Sequence, residues 1–306
     1  MTTGRVIVVG SINLDLLYRV PHLPRPGETL LGAELVRLSG GKGGNQAHAA
    51  AKVAPAEVSV AMVGCVGDDD AATMLRGDLA AAGVDVSAVR SVAGPSGTAL
   101  IAVDERGENT IVVIPGANAT WPSAAATSID LRPGDVVVLQ LEVPFAVVEA
   151  TVAGATAAGA RVALNAAPLD RRVLPLLEHV DALIVNEIEA RELFGFDVAL
   201  GADDVAGTAA DLDTALVVTL GARGVLFAPA RGAAMTLPAF AVDAIDTVGA
   251  GDAFIGGFAA AWAAGGSLET AVRWGAAAGA LTATVSGARH PDLTPAAVQA
   301  LAGSLG

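Results

Sequence analysis

Apolar runs of strand length recur along the chain at residues 6–9, 58–63, 136–141, 162–164, 182–185 and 216–220. Ala-rich segments of helical length separate them. Strands that are continuously apolar and alternate with helices belong to a parallel sheet covered on both faces. Helices are expected to begin near Gly44, Asp70, Pro144, Asp170, Glu187 and Asp203, and to follow Gly251, Ser267 and Thr294. The pattern predicts an α/β fold, a doubly wound, mostly parallel sheet with helices on both faces. Two stretches break the rhythm, 14–38 and 98–114. Each carries strand-like pieces parted by turn residues, Pro24-Arg25-Pro26-Gly27 in one and Glu105-Arg106-Gly107-Glu108 in the other. They predict a small antiparallel β lid, built from 14–38 and 98–114 and folded over a core of 1–13, 39–97 and 115–306, with a plain surface excursion as the alternative.

Composition changes this picture little. Hydrophobic residues make up 53% of the 306 and charged ones 16%, with a mean hydropathy of +0.57. The uncharged, Ala-rich stretch 253–268, 16 residues long, contains four glycines and falls short of the roughly 20 residues a bilayer span needs. A buried helix is expected there, and no membrane contact. No secretory leader is expected at 1–9, Cys65 is the only cysteine, and the four histidines lack metal-ligand spacing, so a reducing cytoplasm is expected. A net charge of −14 argues against a nucleic-acid partner. Only Lys42 and Lys52 are lysines among 18 basic residues. One of them stands inside Gly40-Gly41-Lys42-Gly43-Gly44-Asn45, where a compact ammonium suits a ligand contact.

Six places could carry chemistry. Asp246-Thr247-Val248-Gly249-Ala250-Gly251-Asp252 sets a carboxylate beside a glycine turn at a helix start, where unpaired amides attract anions. An ordinary N-terminal helix charge is the alternative for Asp252. After the first strand, Asn13 and Asp15 alternate along an extended segment and face one side, as a polyhydroxyl ligand requires, or make an Asx turn. The loop at Lys42 lacks the Gly-Lys-Ser/Thr ending of a P-loop, and Phe254 stands where a dinucleotide fingerprint needs its third glycine. Asn186 and Glu189 lie three apart at a helix start, placed to hold the water shell of Mg²⁺ or to form a capping box. Thr219-Leu220-Gly221-Ala222-Arg223-Gly224 could meet nucleotide phosphates or be a hairpin turn. Glu142 ends a strand at the same sheet edge.

Taken together, in order and position, these motifs resemble the ribokinase-like carbohydrate kinases, the PfkB family, from about residue 5 to 300. Gly40 to Ala47 is similar to that family's N-terminal signature, Asp246 to Phe254 to its C-terminal one, and Asn186 to Glu189 to its Asn-x-x-Glu motif. Gly10 to Asp15, Leu139-Gln140-Leu141-Glu142, Gly107-Glu108-Asn109 and Gly116-Ala117-Asn118 resemble the members that act on D-ribose. The resemblance implies an ATP-dependent transfer to the sugar 5-hydroxyl with Asp252 as base and the turn Gly249, Ala250, Gly251 stabilising the transferring charge. Asn13, Asp15, Gly41, Lys42, Asn45 and Glu142 would hold the sugar; Asn186, Thr219, Gly221, Arg223, Gly224 and Gly251 would line the ATP site. It further implies Mg²⁺ held through water by Glu189, a monovalent cation, K⁺, at Asp246, Val248, Thr282, Val285 and Gly287, and a homodimer formed through the lid sheet. The stretch 287–292 is one residue longer than the family pattern, and Ala276 stands where a polar residue often borders adenine. Kinases of deoxyribose, fructose or nucleosides, and a sugar-binding regulator without catalysis, are the other readings. Retention of both the base and the Asn186/Glu189 pair disfavours the regulator, and few aromatic residues in the lid stretches disfavour the nucleoside.

Overall fold

The computed structural model describes residues 4–121, 129–196 and 201–304. The first strand, β1 (Val6–Val9), is buried along its whole length. Its side chains alternate between two cores: Val6 and Val8 face one, Ile7 and Val9 the other. This period of two with apolar residues on both faces makes β1 an interior strand.

Two strands of a second sheet follow, β2 (Asn13–Arg19) and β3 (Leu35–Gly40), then α1 (Lys42–Val53). β4 (Val60–Val66) returns to the main sheet, and α2 (Asp70–Ala81) leads to the short strands β5 (Val84–Asp85) and β6 (Val89–Ser91). β7 (Gly97–Val103) and β8 (Asn109–Ile114) complete the small sheet. The remainder alternates: β9 (Val136–Leu139), α3 (Phe145–Ala158), β10 (Arg161–Asn165), β11 (Ala182–Asn186), α4 (Glu187–Phe194), α5 (Ala202–Leu212) and β12 (Ala215–Thr219). The hairpin strands β13 (Val225–Ala228) and β14 (Met235–Leu237) precede α6 (Ala250–Ala263), α7 (Leu268–Thr282) and α8 (Pro295–Ala302).

The main sheet has 10 strands in the order β14-β13-β12-β11-β10-β9-β1-β4-β5, with β6 also on β4. From β12 to β5 the pairings are parallel, and β13 and β14 add antiparallel edges. Helices cover both faces: α1, α2, α6, α7 and α8 share one core, and α3, α4 and α5 the other. The uncharged run from 253 forms α6, buried at every residue from Ala253 to Ala263. Its glycines serve close packing. A β-carbon on Gly256 would stand 2.6 Å from the Ala50 nitrogen of α1, and one on Gly257 2.9 Å from the Ala278 β-carbon of α7.

The helix expected near Asp170 is instead a 3₁₀ segment, Arg171–His179. Pro175 lies inside it and cannot donate to an α-helical ladder. The small sheet has the order β3-β2-β7-β8. Its outer pairings are antiparallel and its central pair, β2 with β7, is parallel. Both of those strands enter it from the large sheet, β2 just after β1 and β7 just after β6, so they run the same way and each returns by its own hairpin. No helix among the described residues is long and apolar enough to cross a membrane.

Candidate active site

The parallel strands present their C-terminal ends on one edge, where ligands of open α/β sheets bind. The chain leaves β1 at Gly10, β9 at Gln140, β10 at Asn165, β11 at Asn186 and β12 at Thr219. The small sheet and the starts of α1 and α6 close the same edge.

The turn from β3 into α1 is built on close approach. A β-carbon on Gly40 would lie 2.0 Å from a carboxylate oxygen of Asp15. Gly41 takes φ +80° as the residue before α1, a conformation that L side chains rarely adopt. With no side chains there, the head of α1 settles onto the β1–β2 connection. The Gly44 amide donates to the Ser11 carbonyl at 2.9 Å, and the Lys42 amide donates to Glu142 Oε2 at 3.0 Å. The Ser11 hydroxyl donates to the same carboxylate oxygen at 2.5 Å. Glu142 thus sits at the positive end of a helix, where an anion is stabilised.

Asn13 is oriented by Asn118, the last residue of the motif Gly116-Ala117-Asn118. Asn118 Nδ2 donates to Asn13 Oδ1 at 2.7 Å, while Asn118 Oδ1 accepts from the Ile12 amide at 3.0 Å. Ser11, Asn13, Asn118 and Glu142 form the polar side of a cleft of about 600 Å³. Val113 of β8, Pro115, Ala119, Leu141, Val143, Pro144 and Pro168 form an apolar side with no aromatic ring.

A second hollow, of about 170 Å³, is lined by Lys42 together with Asp252, Gly249, Gly251, Asn165, Asn186, Glu189 and Thr219. Asp252 stands in the first turn of α6, after Gly249 at φ +76°. Its Oδ2 accepts from Asn45 Nδ2 at 3.1 Å and its Oδ1 from Gln46 Nε2 at 3.0 Å. Gln46 also accepts from Gln140 Nε2 at 2.7 Å and donates to Asn165 Oδ1 at 3.3 Å. Gln46 and Gln140 stand inside the motifs quoted above without a role of their own, and Asn165 in none of them. The available signal was a polar residue at or just past the end of an apolar strand, as at Glu142 and Asn186. Of the amides expected to face a transferring charge, that of Ala250 donates to the Thr247 carbonyl at 3.2 Å.

Burial dominates the electrostatics. It pushes the Asp15 carboxyl up to about 7, a rise opposed by Arg289 and added to by Glu142 and Asp252. Asp252 is raised by burial too, opposed by Lys42 and by the hydrogen bonds from Asn45 and Gln46. Burial likewise raises Glu189, with the Asn186 amide and Lys42 pulling the other way. A carboxylate raised by burial in a cleft is a candidate for proton transfer.

The remaining expected residues are placed as follows. Asn186 and Glu189 do form a capping box, each side chain accepting from the other's amide at 2.8 Å, and both also line the second hollow. Thr219 lines it as well, whereas Gly221, Arg223 and Gly224 lie in the β12–β13 hairpin turn, with Arg223 in an ion pair with Glu187. Of the residues expected to hold the sugar, Asn13 and Glu142 line the cleft, Lys42 lines the second hollow, and Asp15, Gly41 and Asn45 line neither. Asp246 accepts from the Val248 amide at 3.0 Å and the Gly287 amide at 2.9 Å. The Thr282 hydroxyl nearby is buried without a hydrogen-bond partner, and the Val285 amide donates to the Thr282 carbonyl at 3.3 Å.

The family model for pfkB family carbohydrate kinases matches residues 3–295. The ribokinase of Haemophilus influenzae is 36% identical over 288 residues, covering 92% of this chain and 93% of that protein. An ATP-dependent ribose-1-phosphate kinase of Halopiger xanaduensis is also 36% identical, over 290 residues, 93% of this chain and 94% of that one. The structure of Arabidopsis thaliana ribokinase complexed with ribose and ATP superposes with a TM-score of 0.85 at 29% identity, over 99% of each chain.

Proposed function

This chain belongs to the pfkB family of carbohydrate kinases, and on that basis we propose that it transfers the γ-phosphoryl group of ATP to the 5-hydroxyl of D-ribose, with Asp252 as general base. The observation that carries the reading is the seat of Asp252, one donor on each oxygen, at the head of α6 in the second hollow, which is also lined by Lys42, whose amide donates to Glu142 of the sugar-sized cleft. Asp252 accepts the hydroxyl proton as that oxygen attacks phosphorus, the bond to the bridging oxygen breaks, and ADP leaves. Gly249 and Gly251 amides and the Lys42 ammonium meet the charge that develops on the transferring group. Asn13, Asp15, Gly41, Lys42, Asn45 and Glu142 hold the sugar. Asn186, Thr219, Gly221, Arg223 and Gly224 border the nucleotide. The small sheet acts as a lid that excludes water.

Mg²⁺ fits the second hollow as an ion that arrives with ATP. No group of three or more His, Cys, Asp or Glu residues among the described ones could hold a metal alone, while Glu189 and Asn186 face the hollow and suit water-mediated contacts. Bound there, the ion neutralises phosphate charge. A monovalent cation fits the loop around Asp246, where the partnerless Thr282 hydroxyl and the backbone carbonyls of Val248, Val285 and Gly287 supply hard oxygen donors. The lone buried thiol of Cys65 suits a reducing cytoplasm. A homodimer through the lid sheet completes the reading.

The test is a coupled ADP-release screen over ribose, deoxyribose, fructose, ribose 1-phosphate and nucleosides, with and without K⁺. Ribose is expected to give the highest kcat/KM, with a rise on adding K⁺. A tenfold preference for another acceptor would replace ribose while keeping the kinase assignment.

A further inference from the structure

The chemistry proposed above assigns no role to one deeply placed cation. Arg289, in the segment between α7 and α8, reaches the head of α1, where its Nε donates to Asn45 Oδ1 at 3.0 Å. Its Nη2 is buried with no hydrogen-bond partner, and a β-carbon on Gly44 would stand 3.1 Å from it. Position 44 is therefore a glycine beside the guanidinium. Asp15 of β2, Asp252 of α6 and Asp78 of α2 all act on its charge, as Arg289 does on His48 of α1, itself beside Lys52.

The consequence concerns the Asn45 amide, which has one accepting end and one donating end. With the oxygen on Arg289, the nitrogen faces Asp252 Oδ2 at 3.1 Å. A reversed amide would set oxygen against carboxylate and NH₂ against guanidinium. We propose that Arg289 is a positioning residue for phosphoryl transfer: by engaging Asn45 Oδ1 it turns the Asn45 nitrogen onto Asp252 and so fixes the place of that carboxylate at the head of α6. The role rests on Asp252 being the base. It acts through Asn45 and requires no contact with the sugar.

Three variants test it: Arg289→Met, Asn45→Ala and the pair combined. Arg289→Met is expected to lower kcat roughly 10- to 100-fold, with a smaller change in sugar KM. The double variant should have a kcat no lower than Asn45→Ala alone, because the arginine acts through that amide; losses that multiply overturn the proposal. The acid limb of kcat should move to higher pH in Arg289→Met, since Asp252 loses an oriented donor and a nearby positive charge while Lys42 and Gln46 stay. An arginine with only a stabilising role would lower Tm and leave limb and coupling unchanged, which also overturns it. A crystal structure of Arg289→Met without substrate should show Asn45 turned away from Asp252; retention of the contact refutes the positioning. If the methionine variant does not fold, Arg289→Lys carries the same readouts and is expected to rescue only in part, since an ammonium lacks the fixed fork. Should the native chain phosphorylate no sugar, the base assignment falls, and the crystal structure still decides the Arg289–Asn45 relation.

Discussion

At the residue scale the site works through carboxylates whose charge is costly. Asp252 accepts two hydrogen bonds, one on each oxygen. In Asp252→Asn, an NH₂ group would face one of those donors and no group would remain to take a proton. Steady-state kinetics should show kcat lower by roughly 10²- to 10⁴-fold, with sugar KM little changed; near-native turnover would remove Asp252 from the mechanism. Asp15 behaves differently because its pKa, pushed up to about 7 by burial, lies above that of an unfolded chain, about 3.9. The folded form keeps its proton between those values while the unfolded form has lost it. Stability that the protonated form provides is therefore complete below the unfolded value and is lost as pH rises through about 7. Replacing Asp15 by Asn should raise the melting temperature of the ligand-free protein, by more at pH 8 than at pH 5. Ionised Asp15 is the better acceptor for sugar hydroxyls, so native sugar KM should fall between pH 6 and 8, a trend that Asp15→Asn abolishes. A flat KM profile in the native protein would separate Asp15 from sugar binding.

At the scale of elements, what could be read from the chain depended on whether the signal was local. Apolar runs buried on both faces marked β1, β9, β10, β11 and β12, and glycine or cap residues marked the starts of α1, α4, α6, α7 and α8. The short strands β5, β6 and β14 gave no such run, and the run Val225–Ala228 of β13, buried on both faces, was not read as a strand. The parallel pairing of β2 with β7 depends on where each leaves the large sheet, which no local pattern records. The same reason hid half of the site. Gln140 meets Gln46 across 94 residues and Arg289 meets Asn45 across 244, so an interior amide or guanidinium acquires meaning only after folding. The glycine turn before α6 was legible, and its two glycines should now separate. Gly249 holds φ +76°, and a β-carbon there would lie 2.3 Å from the Ala288 carbonyl oxygen. Gly249→Ala is therefore expected to cost about 1–3 kcal/mol of stability, read by denaturant unfolding, and to displace Asp252. A β-carbon on Gly251 meets nothing within 4 Å. Gly251→Ala should keep native stability but raise the KM for ATP, because the added methyl occupies the side from which phosphate approaches. Loss of stability at 251, or indifference at 249, would contradict this division.

Across the whole molecule, the small sheet is the part that its own fold leaves unfinished. Every residue of its edge strand β8 is exposed although four of the six are Ile or Val. Ile111 and Val112 are 52% and 53% exposed on opposite faces, and Leu31 and Leu35 add 91% and 64%. An edge of this kind offers unpaired backbone groups and apolar side chains together, and isolated proteins seldom leave it bare. In the dimer proposed above, a second copy of the same sheet would satisfy it by symmetry, and with Val113 of β8 lining the first cleft, such pairing would also steady the lid. Lysine at Ile111 or at Val112 tests each face, because a charge buried in a dimer contact is costly while the same charge on an exposed monomer strand costs little. Sedimentation velocity at micromolar concentration is expected to give a dimer for the native chain and a monomer for both variants. Sugar KM should rise more than kcat falls in the monomers, since the lid loses its brace while Asp252 and its donors stay in place. A native chain that sediments as a monomer would discard the pairing, and variants that remain dimeric would move the contact to another surface.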